Sequence, residues 1–228
     1  MSGTLQASVV KDEASATNNL TLNTSGGVTV GQNLTVTGTS TFTGSLGNVT
    51  TGTISSGNIT SSGTVADATG TLRPLVSGTA VASTSGTSVT FTGIPSWVKR
   101  ITIMMSGVSV GTISSVYQVQ IGSGSVTTTG YASQNWTTSG GSGVLTSGFA
   151  FGASGGVNTY TVSGVMVLNL IGSNTWVGSH AINFVNVSSG GYSGSGNSPA
   201  LSGALDRVVI TTVGGATFTG GTINILYE

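Results

Sequence analysis

The chain has 228 residues, 38 of them glycine, with five Lys/Arg balanced by five Asp/Glu and no cysteine. Charged residues make up 4% of it, against about 25% in an ordinary soluble domain, so nucleic acid and anionic membrane surfaces are not expected partners. Without cysteine there are no disulfides and no thiolate metal sites.

Hydrophobic residues still reach 37%, enough for a core over part of the length. β-branched residues and glycine dominate, and no long run of helix formers repeats at 3.6 residues, so the chain is expected to be all-β. The opening MSGTLQASVVKDEASA has neither the charged nor the apolar region of a signal peptide. The longest apolar run, VMVLNLI at 165–171, is too short to span a bilayer. Synthesis in a cytoplasm without general secretion is therefore expected, and membrane insertion is not.

Residues 1–70 hold one aromatic, Phe42, and carry their aliphatics thinly. Val28/Val30 and Leu34/Val36 sit two apart, the spacing of one strand face. GNVTTGTISSGNITSSG (47–63) then repeats a pentad that places Val49, Ile54 and Ile59 five residues apart. Ordering one pentad costs about 1–2 kcal/mol per residue in backbone entropy, and burying its one Val or Ile returns only about 1.5–3 kcal/mol. Either the segment is disordered or other copies of the chain supply the missing neighbours. A flexible linker has no reason to keep regular aliphatic positions. The favoured expectation is an extended trimeric β shaft with Val49, Ile54 and Ile59 stacked in threefold layers, although spacing alone does not select three copies over two.

Residues 71–228 read as one compact domain of eight to ten short strands, a β-sandwich or jelly-roll-like head. SVTFT (88–92) puts Val89 and Phe91 on one face, and GIPSW (93–97) follows as a turn. VKRITIMMSG (98–107) places Ile101, Ile103 and Met105 inward, opposite Arg100, Thr102 and Met104. VYQVQIG (116–122) groups Tyr117, Val119 and Ile121, with Gln118 and Gln120 opposite. NWTTSGGSG (135–143) and SSGGYSGSGNSP (188–199) read as Gly/Ser loops projecting from the ends. TYTVSGVMVLNLIG (159–172) and HAINFVNV (180–187) are the most apolar segments and are expected at the centre. LDRVVITTV (205–213) and GTINILYE (221–228) close the chain, with Ile223, Ile225 and Tyr227 in register.

Catalytic chemistry has little to work with. Hydrolysis of sugars ordinarily needs two neighbouring carboxylates, and three of the five acids, Asp12, Glu13 and Glu228, lie near the ends. Asp67 stands where the two regions meet, and Asp206 precedes Arg207, which makes an ion pair the leading reading of that carboxylate. His180 is the only histidine, so one chain holds no Ser-His-Asp relay and no multi-histidine metal site. Its parity with Ile182 and Phe184 points it at the core or at an intersubunit seam. A metal held by three copies at a trimer axis is the sharper reading of it, and a satisfied or exposed histidine the commoner one. No glycine cluster continues into a phosphate-binding Gly-Lys-Ser/Thr and helix. No catalytic residue, metal or cofactor is expected. So few titratable groups also imply a melting temperature nearly flat between mildly acidic and mildly alkaline pH.

Aromatics in the presumed loops are the best ligand candidates: Trp136 in SQNWTTSGG, Tyr131 in TTGYAS and Tyr192 in GGYSGSG. A flat ring among Asn, Gln, Ser and Thr offers a sugar an apolar face and hydrogen-bond partners. For Trp136, burial as a loop anchor or at a subunit interface stands level with ligand contact. Trp97, after Pro95, reads as a packing anchor, and Trp176 as core.

LTLNTSGGVTVGQNLTVTGTSTFTG (20–44) resembles the shaft segments of bacteriophage virion fibres, and GTLQASVVKDEASATNNL (3–20) their short N-terminal attachment regions. TSVTFTGIPSWVKRITIMMSGVS (87–109), with the terminal GTINILYE, resembles a C-terminal head domain of phage tail-fibre proteins. The resemblance implies a homotrimer assembled in the host cytoplasm and resident in the virion. Residues 1–25 would attach to other virion proteins, 26–70 would form the shaft, and 71–228 the head. That head would contact a host-surface glycan or another receptor. The alternative is a capsid (head) fibre or tail adaptor with a purely structural role. An enzyme cleaving host polysaccharide is set aside for want of acids.

Overall fold

The structure, a computed structural model, describes residues 66–67, 70–71, 73–111, 115–137, 142–153, 160–186 and 190–228. These belong to one unit, Ser61–Glu228. The attachment segment 1–25 and the shaft positions Val49, Ile54 and Ile59 lie outside the described residues.

Among the described residues every regular element is a strand, so no helix is long and apolar enough to cross a membrane. The chain runs through β1 (Ala66–Asp67), β2 (Gly70–Thr71), β3 (Val76–Ser77), β4 (Val81–Ala82), β5 (Ser88–Thr92) and β6 (Arg100–Val110). Next come β7 (Val116–Ser123), β8 (Ser125–Val126), β9 (Ala132–Thr137), β10 (Ser142–Leu145) and β11 (Phe149–Ala153). The last five are β12 (Val162–Gly172), β13 (Thr175–Phe184), β14 (Gly191–Asn197), β15 (Arg207–Thr212) and β16 (Phe218–Tyr227).

Apart from the small β1–β2 pair, two antiparallel sheets share one core in a sandwich-like arrangement. The larger runs β10-β9-β14-β13-β12-β6-β16-β3, with β4 also on β16; the smaller runs β11-β7-β15-β5, with β8 on β7. Period-2 alternation decides which faces meet. Val89 and Phe91 on β5, Ile101, Ile103 and Met105 on β6, and Ile223 and Ile225 on β16 are all buried, as the pattern predicts. Aromatic pairs bridge the sheets: Tyr117 of β7 stacks on Phe218 of β16 at 6.5 Å, and Phe151 of β11 meets His180 of β13 edge-on at 5.4 Å. The apolar β12 and β13 are central, joined by a two-residue turn in which Ser173 and Asn174 both take positive φ (47° and 56°), the geometry that matches strand twist.

One expectation needs correction. The segments around Trp136 and Tyr192 are not projecting loops. They form β9, β10 and β14, which extend the larger sheet by three strands beyond β13. Glycine is depleted in strands, but in GYSGSGN the glycines answer a close approach. A Cβ on Gly194 would lie 2.3 Å from the Gln134 carbonyl oxygen, and one on Gly196 would lie 2.6 Å from that of Ala132. Gln118 and Gln120 do face away from the core, yet both are buried. The turn at Ser147 covers them: Gln120 Nε2 donates to the Ser147 carbonyl (2.8 Å), and Ser147 Oγ donates to Gln118 Oε1 (2.8 Å).

Candidate functional site

Once 132–137 is a strand, parity sorts its side chains. Ser133 and Asn135 are buried, whereas Gln134 is half-buried and Trp136 is 54% exposed on the outer face of the larger sheet. Trp136 lies in register with Ser193 of β14 and Ser142 of β10, and Gln134 with Ser195 and Val144. Two residues back along β9 from Trp136, Gln134 lines, with Ala132, Ser133, Val144, Ser195 and Gly196, a shallow, open depression of about 330 Å³. The exposed Val144 and the indole supply apolar surface, while the Gln134 amide and the Ser193 and Ser195 hydroxyls supply hydrogen-bonding groups. No charged side chain occurs on β9, β10, β12, β13 or β14 apart from the titratable His180, which is buried. Such an arrangement can stack on and hydrogen-bond a neutral polar molecule.

The other two expected ligand residues do not join it. Tyr131 is buried, 3% exposed, with its ring edge against Phe149 at 5.3 Å. Its hydroxyl accepts from the Ile121 amide (2.9 Å) and donates to the Thr127 carbonyl (3.0 Å), and burial pushes its pKa up to about 12. That ring ties β7 to the start of β9 and leaves no face for a ligand. Tyr192 is half-buried on the opposite face of β14 from Trp136, in register with Ile182 and edge-on to Phe184 at 5.6 Å. Its hydroxyl pKa is raised by burial. Both tyrosines pack because parity turns them inward.

The remaining aromatics sit as expected. Trp176 is buried in the core. Trp97 is a packing anchor between the Arg73 guanidinium, 5.1 Å from its ring centre, and Tyr227 at 6.1 Å.

Two carboxylates in the described region, Asp206 and Glu228, are tied to arginines. Asp206 Oδ1 accepts from Arg207 Nε (2.7 Å) and Oδ2 from Arg207 NH2 (3.1 Å), and Oδ2 also accepts from the Gly124 amide (3.0 Å). The Arg207 hydrogen bonds hold the Asp206 pKa below its ordinary value. Glu228 pairs with Arg100. Among the described residues no three His, Asp or Glu side chains gather as a metal site.

His180 faces the core and not a seam. It is 7% exposed, opposite Met166 of β12 and Gly194 of β14, with Phe151 against its ring. Neither ring nitrogen has a hydrogen-bond partner, and burial pushes its pKa down to about 4. A metal shared by three copies of His180 would need those nitrogens at the surface, and the packing places them between the sheets.

Sequence reasoning missed Gln134, Val144 and Ser195. The alternation in ASQNWT was the available signal, obscured by the glycines that follow it. No protein-family model, no curated protein and no solved structure matches the chain.

Proposed function

We propose that the chain is a homotrimeric phage virion fibre whose β-sandwich head adsorbs to a host-surface glycan through the face around Trp136. The observation that carries this reading is the half-exposed Trp136 indole on the same strand as Gln134, which lines a depression of neutral hydrogen-bonding groups. Sugars are bound by such pairings of aromatic face and neutral donors. The shaft half of the reading is supported by the resemblance of 20–44 to fibre shafts and by the pentads carrying Val49, Ile54 and Ile59.

Adsorption to host cells, or to their extracted surface polysaccharide, tests the site. Trp136→Ala is expected to weaken adsorption at least tenfold, as the loss of an aromatic anchor worth about 2 kcal/mol would, with an unchanged melting temperature. Tyr192→Ala is expected to do the reverse, lowering the melting temperature through lost packing on Phe184 while sparing adsorption to the fraction that remains folded. Unchanged adsorption by a folded Trp136→Ala protein would remove the glycan site. The purely structural reading, a capsid fibre or tail adaptor, would then stand in its place.

A further inference from the structure

We infer that the glycan of the proposed site is an uncharged polysaccharide, held lengthwise in a groove that runs along β13 and β14 between Trp136 and Val165. The inference rests on the glycan reading above and adds to it the class of sugar and a second set of contacts, at Ser179 and Ala181.

Register and side-chain size build the groove. Trp136 of β9 lies in register with Ser193 of β14, then with Ala181 of β13 and Val165 of β12. Gln134 lies likewise in register with Ser195, then with Ser179 and Val167. Larger side chains on β9 and β12 thus flank two strands that carry only Ser and Ala there. Trp136 and Val165 are 54% and 43% exposed, and Ser179, Ala181, Ser193 and Ser195 are exposed between them. The flanking strands stand three spacings of about 4.8 Å apart. A depression opens on each side of this floor. One is lined by Gln134 and Ser195; the other, of about 260 Å³, is lined by Val165, Val167, Ser179, Ala181 and the buried His180. Asn183 and Asn197, both exposed, continue the floor at its two ends. From Val177, in register with Asn197, to Asn183 is six residues along β13, about 20 Å and longer than a single sugar ring.

Chemistry selects the occupant. The floor presents hydroxyls and carboxamides, which exchange hydrogen bonds with sugar hydroxyls both as donors and as acceptors. The walls present an indole and two valines to the C–H faces of sugar rings. An extended peptide finds no edge to join, because β13 and β14 are each paired on both sides. Acidic sugars are refused on charge. No Asp, Glu, Lys or Arg occurs in residues 101–205, the span that supplies both walls and the floor. A uronate, sulfate or phosphate would give up water there with no cation in exchange. Arg100 of β6 lies beyond the β12 wall and is already paired with Glu228.

The native full-length protein would be titrated with surface polysaccharide extracted from host cells and separated by anion exchange into uncharged and acidic fractions. Binding to the uncharged fraction is expected, altered less than about twofold by a tenfold rise in salt, because no ion pair is there to screen. Ser179→Trp and Ala181→Trp fill the floor, and each is expected to weaken that binding at least tenfold with the melting temperature unchanged. Ser106→Trp, on the same face of β6 beyond the Val165 wall, adds the same bulk and should leave binding intact. Trp136-dependent binding of the acidic fraction in place of the uncharged one would overturn the sugar class. Full binding by folded Ser179→Trp and Ala181→Trp proteins would overturn the groove. Either result leaves the Trp136 site standing. Binding of neither fraction, or binding that Trp136→Ala leaves unchanged, would overturn the site and this inference together.

Discussion

Lowering the pH from 7 to 4 is expected to cost the domain about 3 kcal/mol of stability, and replacing His180 with leucine is expected to remove most of that loss. The cause is burial. An unfolded histidine titrates at about 6.5, whereas the folded imidazole, set between Met166, Gly194 and Phe151 with neither nitrogen partnered, is held down to about 4. Between those values the unfolded chain binds a proton that the folded chain refuses, so stability is fully present above pH 6.5 and falls as the pH approaches 4. None of the groups facing His180 from β11, β12 and β14 is charged, so nothing nearby offsets the cost. For a domain of this size the loss corresponds to a drop of about 6–12 °C in melting temperature. The scarcity of titratable groups predicts a nearly flat profile between mildly acidic and mildly alkaline pH, and His180 is the group expected to make the profile fall on the acid side. Melting curves of the wild type and His180→Leu at pH 7, 5.5 and 4 would check it. A wild-type profile flat across that range would mean that His180 is hydrated in solution.

Gly194→Ala is expected to be among the most damaging single-methyl changes in the domain. Its Cβ would lie 2.3 Å from the Gln134 carbonyl oxygen, 2.6 Å from His180 Cε1 and 2.9 Å from the Asn135 Cα. Two of those neighbours are backbone atoms of the paired strand β9, which cannot turn away as a side chain could. Relief requires β9 and β14 to separate, taking with them the strand that carries Trp136. A loss of about 3 kcal/mol, the upper part of the usual range for overpacking, is expected in chemical denaturation. Ser193→Ala and Ser195→Ala, one residue to either side and facing outward, should stay within about 0.5 kcal/mol. Equal tolerance at all three positions would show that β14 is not packed against β9 as described.

These two residues also show what the sequence could and could not reveal. Strands β5, β6, β12, β13 and β16 were legible because Val, Ile, Phe and Met alternate with polar residues, and the buried set follows that alternation. Strand β14 was not, because GYSGSGN holds no β-branched residue and its glycines are required by the nearness of β9, a tertiary fact with no local signature. The same blindness decided the site. Trp136, Tyr131 and Tyr192 look alike in sequence, each an aromatic among small polar residues. What separates them is strand parity, which turns Trp136 outward and Tyr192 inward, and the Ile121 and Thr127 backbone groups that capture the Tyr131 hydroxyl. Likewise the alternation placed Gln118 and Gln120 on the outer side of β7 but could not foresee the turn at Ser147 folding over them. The solitary histidine had a readable direction, inward with Ile182 and Phe184, while its lack of partners follows only from the neighbours it meets.

Fibre assembly is tested most directly by the mass of the native full-length protein in solution, measured by light scattering across a tenfold range of concentration. A homotrimer, at three times the 22.4 kDa chain mass, is the expected result, unchanged on dilution because the proposed shaft would bury Val49, Ile54 and Ile59 only between copies. A stable, folded monomer would contradict it.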